Sequence, residues 1–88
     1  MIVHDEQIAE KIFELLAARA DDSTICPSDA ARALAADEAA WRALMPGVRR
    51  VAASLVQAGS LRVTQQGDDV DPLAAHGPIR LGRPLNRG

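Results

Sequence analysis

The amino-acid sequence predicts an α+β fold that is mainly helical, and three of its features support this prediction. Apolar residues recur at helical spacing before residue 58, where alanine is abundant and aromatic residues are rare. In residues 61–65, Leu61, Val63 and Gln65 then alternate with Arg62 and Thr64, as in a strand with one buried face. The resulting order of helix, short strand, two helices and hairpin is that of a winged helix-turn-helix with three core helices and a β-hairpin wing. We expect a single domain over 1–88, with the wing at about 60–82 and a flexible tail at 84–88.

The first two helices are predicted from apolar periodicity and from residues typical of helix N-termini. The first extends over about 5–20, with most of its apolar side chains on one side. The second begins around 27–29, where Ser28 is the expected N-cap, and it ends near residue 36. We expect the segment 37–44, capped by Asp37, to add one or two helical turns before the third helix.

A third helix, 46–58, is predicted between Pro46 and Gly59. Proline suits the first helical position, because its missing N–H would have no partner there, and Gly59 suits the left-handed residue after a helix end. At about 100° per residue, one side of this helix is apolar. The opposite side carries Arg49, Arg50, Ala53, Ser54 and Gln57.

The strands are predicted from short apolar stretches and turn residues. Residues 23–26 are expected to add a small third strand to a later hairpin. Leu61 and Val63 face inward on the first hairpin strand, and 65–69 supply the turn. The return strand is expected at 77–81, with Ile79 and Leu81 facing inward and the residues before it lengthening the wing.

Charge is unevenly distributed along the chain. The net charge of −2 by itself argues against a nucleic-acid-binding protein. Residues 1–38 hold nine acidic and three basic residues, whereas residues 39–88 hold seven arginines and three aspartates. The second half therefore carries arginine, the side chain suited to bidentate contacts with phosphates and carboxylates.

Three further features concern the location of the protein. No apolar run reaches the length of a membrane span, and the first residues lack the basic and apolar regions of a secretory signal. A single cysteine cannot form an intramolecular disulfide. We therefore expect a cytoplasmic location with no membrane association.

The outward side of the third helix predicts binding of double-stranded DNA. Its cations, hydrogen-bonding groups and alanine methyl are groups that contact phosphates, base edges and the thymine methyl in a major groove. The N-terminus of the second helix, with Arg32 nearby, is expected to bind a phosphate, and the wing to contact the backbone or minor groove. The predicted nucleic-acid-binding residues are Ser28, Arg32, Arg49, Arg50, Ala53, Ser54, Gln57, Arg62, Thr64 and Arg80.

Two alternatives remain open on the sequence alone. Arg32 and Arg49 could instead pair with the surplus acidic residues and only order the fold. Winged helices also serve as protein-docking modules, so the same arginine-bearing face could meet an acidic protein partner or a second copy in a homodimer. The negative net charge favours this protein-binding function over DNA binding.

We predict no enzymatic activity, no cofactor and no metal. Cys26, His4 and His76 are far apart and lack the spacing of metal ligands. Because no histidine adjoins Cys26, we interpret this thiol as a small buried apolar group rather than a nucleophile. The aspartates of 68–71 match no calcium-binding loop and indicate a solvated turn, and Trp41 is expected in the core.

Four blocks of the chain resemble one known family. They are Cys26–Arg32 (CPSDAAR), Trp41–Arg49 (WRALMPGVR), Gly59–Gly67 (GSLRVTQQG), and Val70–Pro72 (VDP) together with Gly77–Leu81 (GPIRL). In this order they resemble the domain-of-unknown-function 3253 family over nearly the whole chain. The resemblance implies a small bacterial winged-helix-like domain. It implies no established activity and brings no set of functional residues with it.

Overall fold

The computed structural model describes residues 2–84, which form three α-helices and a four-stranded antiparallel sheet. The elements are α1 (Asp5–Ala17), β1 (Thr24–Ile25), α2 (Pro27–Leu34), α3 (Glu38–Gln57), β2 (Arg62–Gln65), β3 (Asp68–Asp69) and β4 (Arg80–Gly82). Helices account for 49% and strands for 13% of this part of the chain, so the α+β, mainly helical class is confirmed. Of the predicted tail at 84–88, only the exposed Pro84 falls within the described residues.

The first helix, α1, is shorter at its C-terminal end than predicted. It begins after His4, whose N–H donates to Gln7 Oε1 at 2.8 Å and so satisfies a main-chain donor at the helix N-terminus. The last buried residue of the helix is Leu16, and residues 17–20 are exposed. The chain leaves the helix at this point because no further apolar side chain holds it against the core.

The N-cap of α2 lies two residues earlier than predicted, so the assignment of Ser28 as its N-cap is wrong. Pro27 occupies the first helical position, and Cys26 is the N-cap. Asp29 Oδ2 accepts the Cys26 N–H at 2.9 Å, and Ser28 Oγ donates to Cys26 Sγ at 3.1 Å. Cys26 is therefore half-buried and hydrogen-bonded, not a fully buried apolar group.

The third helix, α3, continues through Pro46, so the predicted separation of 37–44 from 46–58 is wrong. Asp37 does cap the helix, accepting the Ala40 N–H at 3.1 Å. A proline inside a helix costs about 3 kcal/mol through a lost hydrogen bond and a clash with the preceding turn. The apolar side of α3 continues at helical spacing across Pro46, from Trp41 to Val48, and packs against α1 and α2. Because each large buried apolar side chain contributes about 1.5–3 kcal/mol, this packing outweighs the cost of the proline.

The end of α3 has the geometry that its glycine predicts. Gly59 has a φ of 77°, in the left-handed region. The Gly59 N–H donates to Val56 O at 3.0 Å, and the Ser60 N–H donates to Leu55 O at 2.9 Å. These two bonds form a Schellman motif, which satisfies the last carbonyls of the helix and turns the chain into β2.

The strand order in the sheet is β1-β4-β2-β3. β1 pairs with β4, so the prediction of a small additional strand near residues 23–26 is confirmed. Four residues were predicted to face inward on the two hairpin strands. All four are buried: Leu61, Val63, Ile79 and Leu81. They join a core that also contains Ile8, Ile12, Leu16, Ile25, Ala30, Ala31, Val48, Val51 and Ala52, with the half-buried Trp41 packed against it.

The hairpin differs from the prediction in where the chain turns. Gln66 and Gly67 both have positive φ, 53° and 89°, and form a two-residue loop that brings β3 directly back along β2. Asp68 and Asp69 are therefore strand residues and not part of a long turn. A connecting segment, residues 70–79, then leads to β4, which begins at Arg80 and pairs with the other edge of β2. We call this segment the strap.

None of the three helices within residues 2–84 is long and apolar enough to cross a membrane.

Candidate nucleic-acid interface

The outward side of α3 is a strip of polar and small side chains. We define this α3 strip as Arg42, Arg50, Ala53, Ser54 and Gln57, of which all but the half-buried Ala53 are exposed. Arg50, Ser54 and Gln57 lie within about 60° of one another around the helix axis. Arg42 is not among the residues predicted from the sequence, because the predicted third helix begins at Pro46. The apolar spacing that continues upstream to Trp41 is the signal that could have found it.

Arg50 forms a two-point ion pair with Asp5 at the start of α1. Its two terminal nitrogens, Nη1 and Nη2, lie 2.6 and 3.0 Å from the two carboxylate oxygens. The side chains are 57% and 58% exposed, so the pair is at the protein surface. The hydrogen bonds from Arg50 lower the pKa of Asp5 below its ordinary value, and Asp5 raises the pKa of Arg50. Both groups are therefore charged at neutral pH.

The Arg50 side chain passes beside Gly47 on its way to Asp5. A Cβ atom at this position would lie 3.5 Å from both the Arg50 guanidinium and Ile8 Cδ1. Both are ordinary van der Waals distances, so the ion pair does not require a glycine at this position. The ion pair joins two residues that are 45 positions apart in the sequence.

Arg49 does not belong to the exposed strip. Its guanidinium donates to three main-chain carbonyls of the strap: Nη1 to Pro72 O at 3.2 Å and Ala75 O at 2.9 Å, and Nη2 to Gly77 O at 2.9 Å. Arg49 therefore orders the fold through main-chain carbonyls rather than through the acidic partner considered from the sequence. Arg49 contacts the strap because it lies at the edge of the core-facing side of α3, where the strap packs.

The residues predicted to lie on a wing, Arg62, Thr64 and Arg80, share one face of the sheet, as predicted. Thr64 pairs directly with Arg80 in the register of β2 and β4. This face is opposite to the one that packs on α3, because Val63 and Leu81 alternate with these residues and are buried. Arg62 Nε contacts Asp69 Oδ1 at 2.6 Å, and Arg80 donates to Thr24 Oγ1 at 2.8 Å and Thr24 O at 2.9 Å. These three residues therefore form a surface separate from the α3 strip.

The two α2 residues predicted to bind phosphate are engaged within the protein. The Ser28 hydroxyl donates to Cys26, as described above. The Arg32 guanidinium lies over the Trp41 ring, 4.6 Å from its centroid, and Arg42 lies 5.0 Å from the same centroid. Arg32 therefore makes a cation–π contact rather than the ion pair considered from the sequence.

The family comparison covers almost all of this structure. A family model described as "Protein of unknown function (DUF3253)" matches residues 5–84 of the 88. The chain belongs to the DUF3253 family. The matched range of this DUF3253 protein begins at Asp5 and includes Arg50, the α3 strip and the whole sheet. No curated protein matches the chain.

A shallow groove of about 350 Å³ separates α3 of the DUF3253 protein from its strap. Its lining includes Ala53, Val56, Gln57 and Leu73. Val56 is 37% and Leu73 is 63% exposed, so an apolar surface borders the α3 strip. Asp69 and Asp71 also line the groove and make this side of the strip acidic.

Metal ligands do not converge in the part of the chain described here. Within residues 2–84, no group of three or more histidine, cysteine, aspartate and glutamate side chains could hold a metal ion.

Proposed function

We propose that this DUF3253 protein binds double-stranded DNA through α3 and the β2–β3 hairpin, without catalysing a reaction and without a cofactor. The observation that carries the proposal is the α3 strip, an uncovered helix face on which Arg50, Ser54 and Gln57 are exposed together. Arginine and glutamine are side chains that bind phosphates and base edges, and the methyl group of Ala53 can contact thymine.

The order and pairing of the elements support the same function. A short strand follows α1, and two further helices and a returning sheet come next. This is the element order expected of a winged helix-turn-helix and supports that assignment. In that architecture α3 is the recognition helix and the β2–β3 hairpin is the wing. At about 1.5 Å per residue, α3 is about 30 Å long, which is sufficient to lie along a major groove.

The ion pairs on the strip are compatible with exchange for phosphate. Arg42 pairs with Glu38 at 2.8 Å with both side chains at least 65% exposed, and the Arg50–Asp5 pair is similarly exposed. Exposed ion pairs contribute little to stability, since both partners remain solvated. A duplex presents a dense row of phosphates, so it can compete for the same guanidinium groups.

The test is a fluorescence-anisotropy titration of a labelled random-sequence duplex at about 50 and 200 mM salt. We expect binding that weakens with salt, with a slope of about −0.9 in log affinity for each phosphate neutralised. Arg50→Ala should weaken binding by about 1–3 kcal/mol. Arg19→Ala is the matched control, because Arg19 is exposed beyond the end of α1 and lies outside the α3 strip. Equal weakening by the two variants, or no binding at the lower salt, would refute the proposal.

Protein binding through the same strip is the second candidate function. The observation that favours it is the apolar border formed by Val56 and Leu73, next to an arginine whose charge could meet an acidic partner. Apolar side chains around a central arginine are typical of protein interfaces. The partner would be an acidic protein or, in a homodimer, a second copy that offers Asp5 or the acidic hairpin.

The Leu73→Ser variant separates the two functions when DNA binding and self-association are both measured. This substitution removes exposed apolar surface from the strap and leaves the charge unchanged. DNA binding should be insensitive to it. A self-association equilibrium, measured by sedimentation velocity, should shift towards the monomer if a second copy covers the groove.

A further inference from the structure

The contact between α1 and α3 places a carboxylate where the proposed DNA-binding arginine is expected to meet a phosphate. Asp5 receives both Nη groups of Arg50 in the fork geometry that a guanidinium also uses to bind a phosphate. The ligand-binding end of Arg50 is therefore already occupied by an anion of the protein itself.

We propose that Asp5 is an internal competitor that holds Arg50 in an autoinhibited position and lowers the affinity of the protein for DNA. This inference rests on the proposed function. Arg50 can bind a phosphate only by leaving Asp5, which then remains as an unpaired negative charge close to the DNA backbone. Both the lost pair and the new repulsion act against binding.

Among residues 2–84, the hydrogen bonds of the Asp5 side chain are those with Arg50. The N-terminus of α1 is capped by His4 and Gln7, so the helix does not depend on the Asp5 side chain for its cap. Asp5 lies in the first turn, where a negative charge is favourable, but Glu6 supplies such a charge as well. The Asp5→Asn substitution therefore removes the charge without removing the helix start.

Asp5→Asn should tighten binding to DNA. An exposed ion pair is a weak competitor, so the expected gain is about two- to five-fold in affinity at low salt. The gain should decrease at higher salt, because the competition is electrostatic and exposed. In the Arg50→Ala background the gain should be smaller than in the parent, since only the repulsion between Asp5 and the phosphates is left to be removed.

The experiment measures anisotropy of a labelled random-sequence duplex with the full-length protein, Asp5→Asn, Arg50→Ala and the double variant. Asp22→Asn is the control, because Asp22 is an exposed turn residue and its substitution gives the same change in net charge. Thermal unfolding checks that each protein is folded. A gain for Asp5→Asn that exceeds the Asp22→Asn effect and is reduced without Arg50 supports the inference.

Two results would overturn it, and they are distinguishable from each other. If the parent protein binds DNA but Asp5→Asn behaves like the parent or like Asp22→Asn, the autoinhibition is refuted and the proposed function stands. If neither the parent nor Asp5→Asn binds DNA at low salt, the proposed function fails and the inference falls with it.

Discussion

Gly82 on β4 lies opposite Thr24 on β1, and a Cβ atom added to Gly82 would lie 3.0 Å from Thr24 Cγ2. This distance is shorter than the optimal separation of about 3.5–4.0 Å between carbon atoms. Because glycine has no side chain, the short strand β1 pairs closely with β4 at Gly82, and the Thr24 methyl group lies directly above the glycine.

Gly82→Ala should destabilise the protein by about 1–3 kcal/mol, the usual cost of adding a methyl group where the structure has no space for it. Urea denaturation followed by circular dichroism measures this change as a lower midpoint with an unchanged slope.

Thr24→Ser provides the matched rescue. Serine lacks Cγ2 but keeps the hydroxyl that accepts the Arg80 Nε–H at 2.8 Å. The double variant Gly82→Ala/Thr24→Ser should recover most of the loss, because the clashing atom is absent. If the two substitutions are simply additive, the steric explanation is wrong.

Arg49→Ala should loosen the strap. Three carbonyls of residues 72–77 lose a charged donor, and hydrogen bonds to charged groups contribute about 1.5–3 kcal/mol. We expect a loss of that size in the free energy of unfolding, together with faster amide hydrogen exchange in the strap. Arg42→Ala is the control, since its exposed pair with Glu38 contributes only about 0.3–0.5 kcal/mol. Similar losses in both variants would contradict the anchoring role of Arg49.

Gln66→Asn should stabilise the β2–β3 hairpin. Gln66 has a φ of 53°, a left-handed conformation that is unfavourable for most L-residues and less so for asparagine. An Asn-Gly pair is also the preferred sequence of this two-residue loop. The expected gain is about 0.5–1 kcal/mol in the free energy of unfolding. Gly67→Ala, at a φ of 89°, should change stability in the opposite direction, and a gain there would show that backbone conformation does not limit this turn.

The Arg50–Asp5 pair predicts a pH dependence of stability. Hydrogen bonds from Arg50 lower the pKa of Asp5 in the folded protein. Such a group stabilises the fold fully above its unfolded pKa of about 3.9, and this contribution is lost as the pH falls through the lower folded pKa. The parent protein should therefore have a higher Tm than Asp5→Asn at about pH 6, and the difference should disappear in acid. A difference in Tm that does not change with pH would exclude the ion pair as its cause.

Local sequence signals were sufficient for most of the fold. Helical periodicity identified the helical regions and the buried faces of α1 and α3, and alternation identified β2 with Val63 inside, next to the buried Leu61. Gly59 was predicted correctly as the residue that ends α3, because its left-handed conformation depends on the glycine itself. Each of these features is decided by residues within one or two turns of each other.

The candidate site was less predictable, since side-chain partners are distant in the sequence. Arg49 and Arg50 are adjacent and look equivalent in the sequence, yet one holds the strap and the other meets Asp5. Their side chains leave the helix about 100° apart and so face different neighbours. The strap and the first turn of α1 are too far from Arg49 and Arg50 in the sequence for a local pattern to reveal either contact.

The sequence by itself therefore determined the fold class, the apolar core and the outward position of Arg50, Ser54 and Gln57. Only the tertiary structure decided that α3 continues through Pro46, that β4 lies between β1 and β2, and which anion or carbonyl each arginine contacts. The physical reason is that periodicity and turn preferences are local free energies. Tolerance of a proline, strand order and ion pairing depend instead on packing between segments that meet only after the chain has folded.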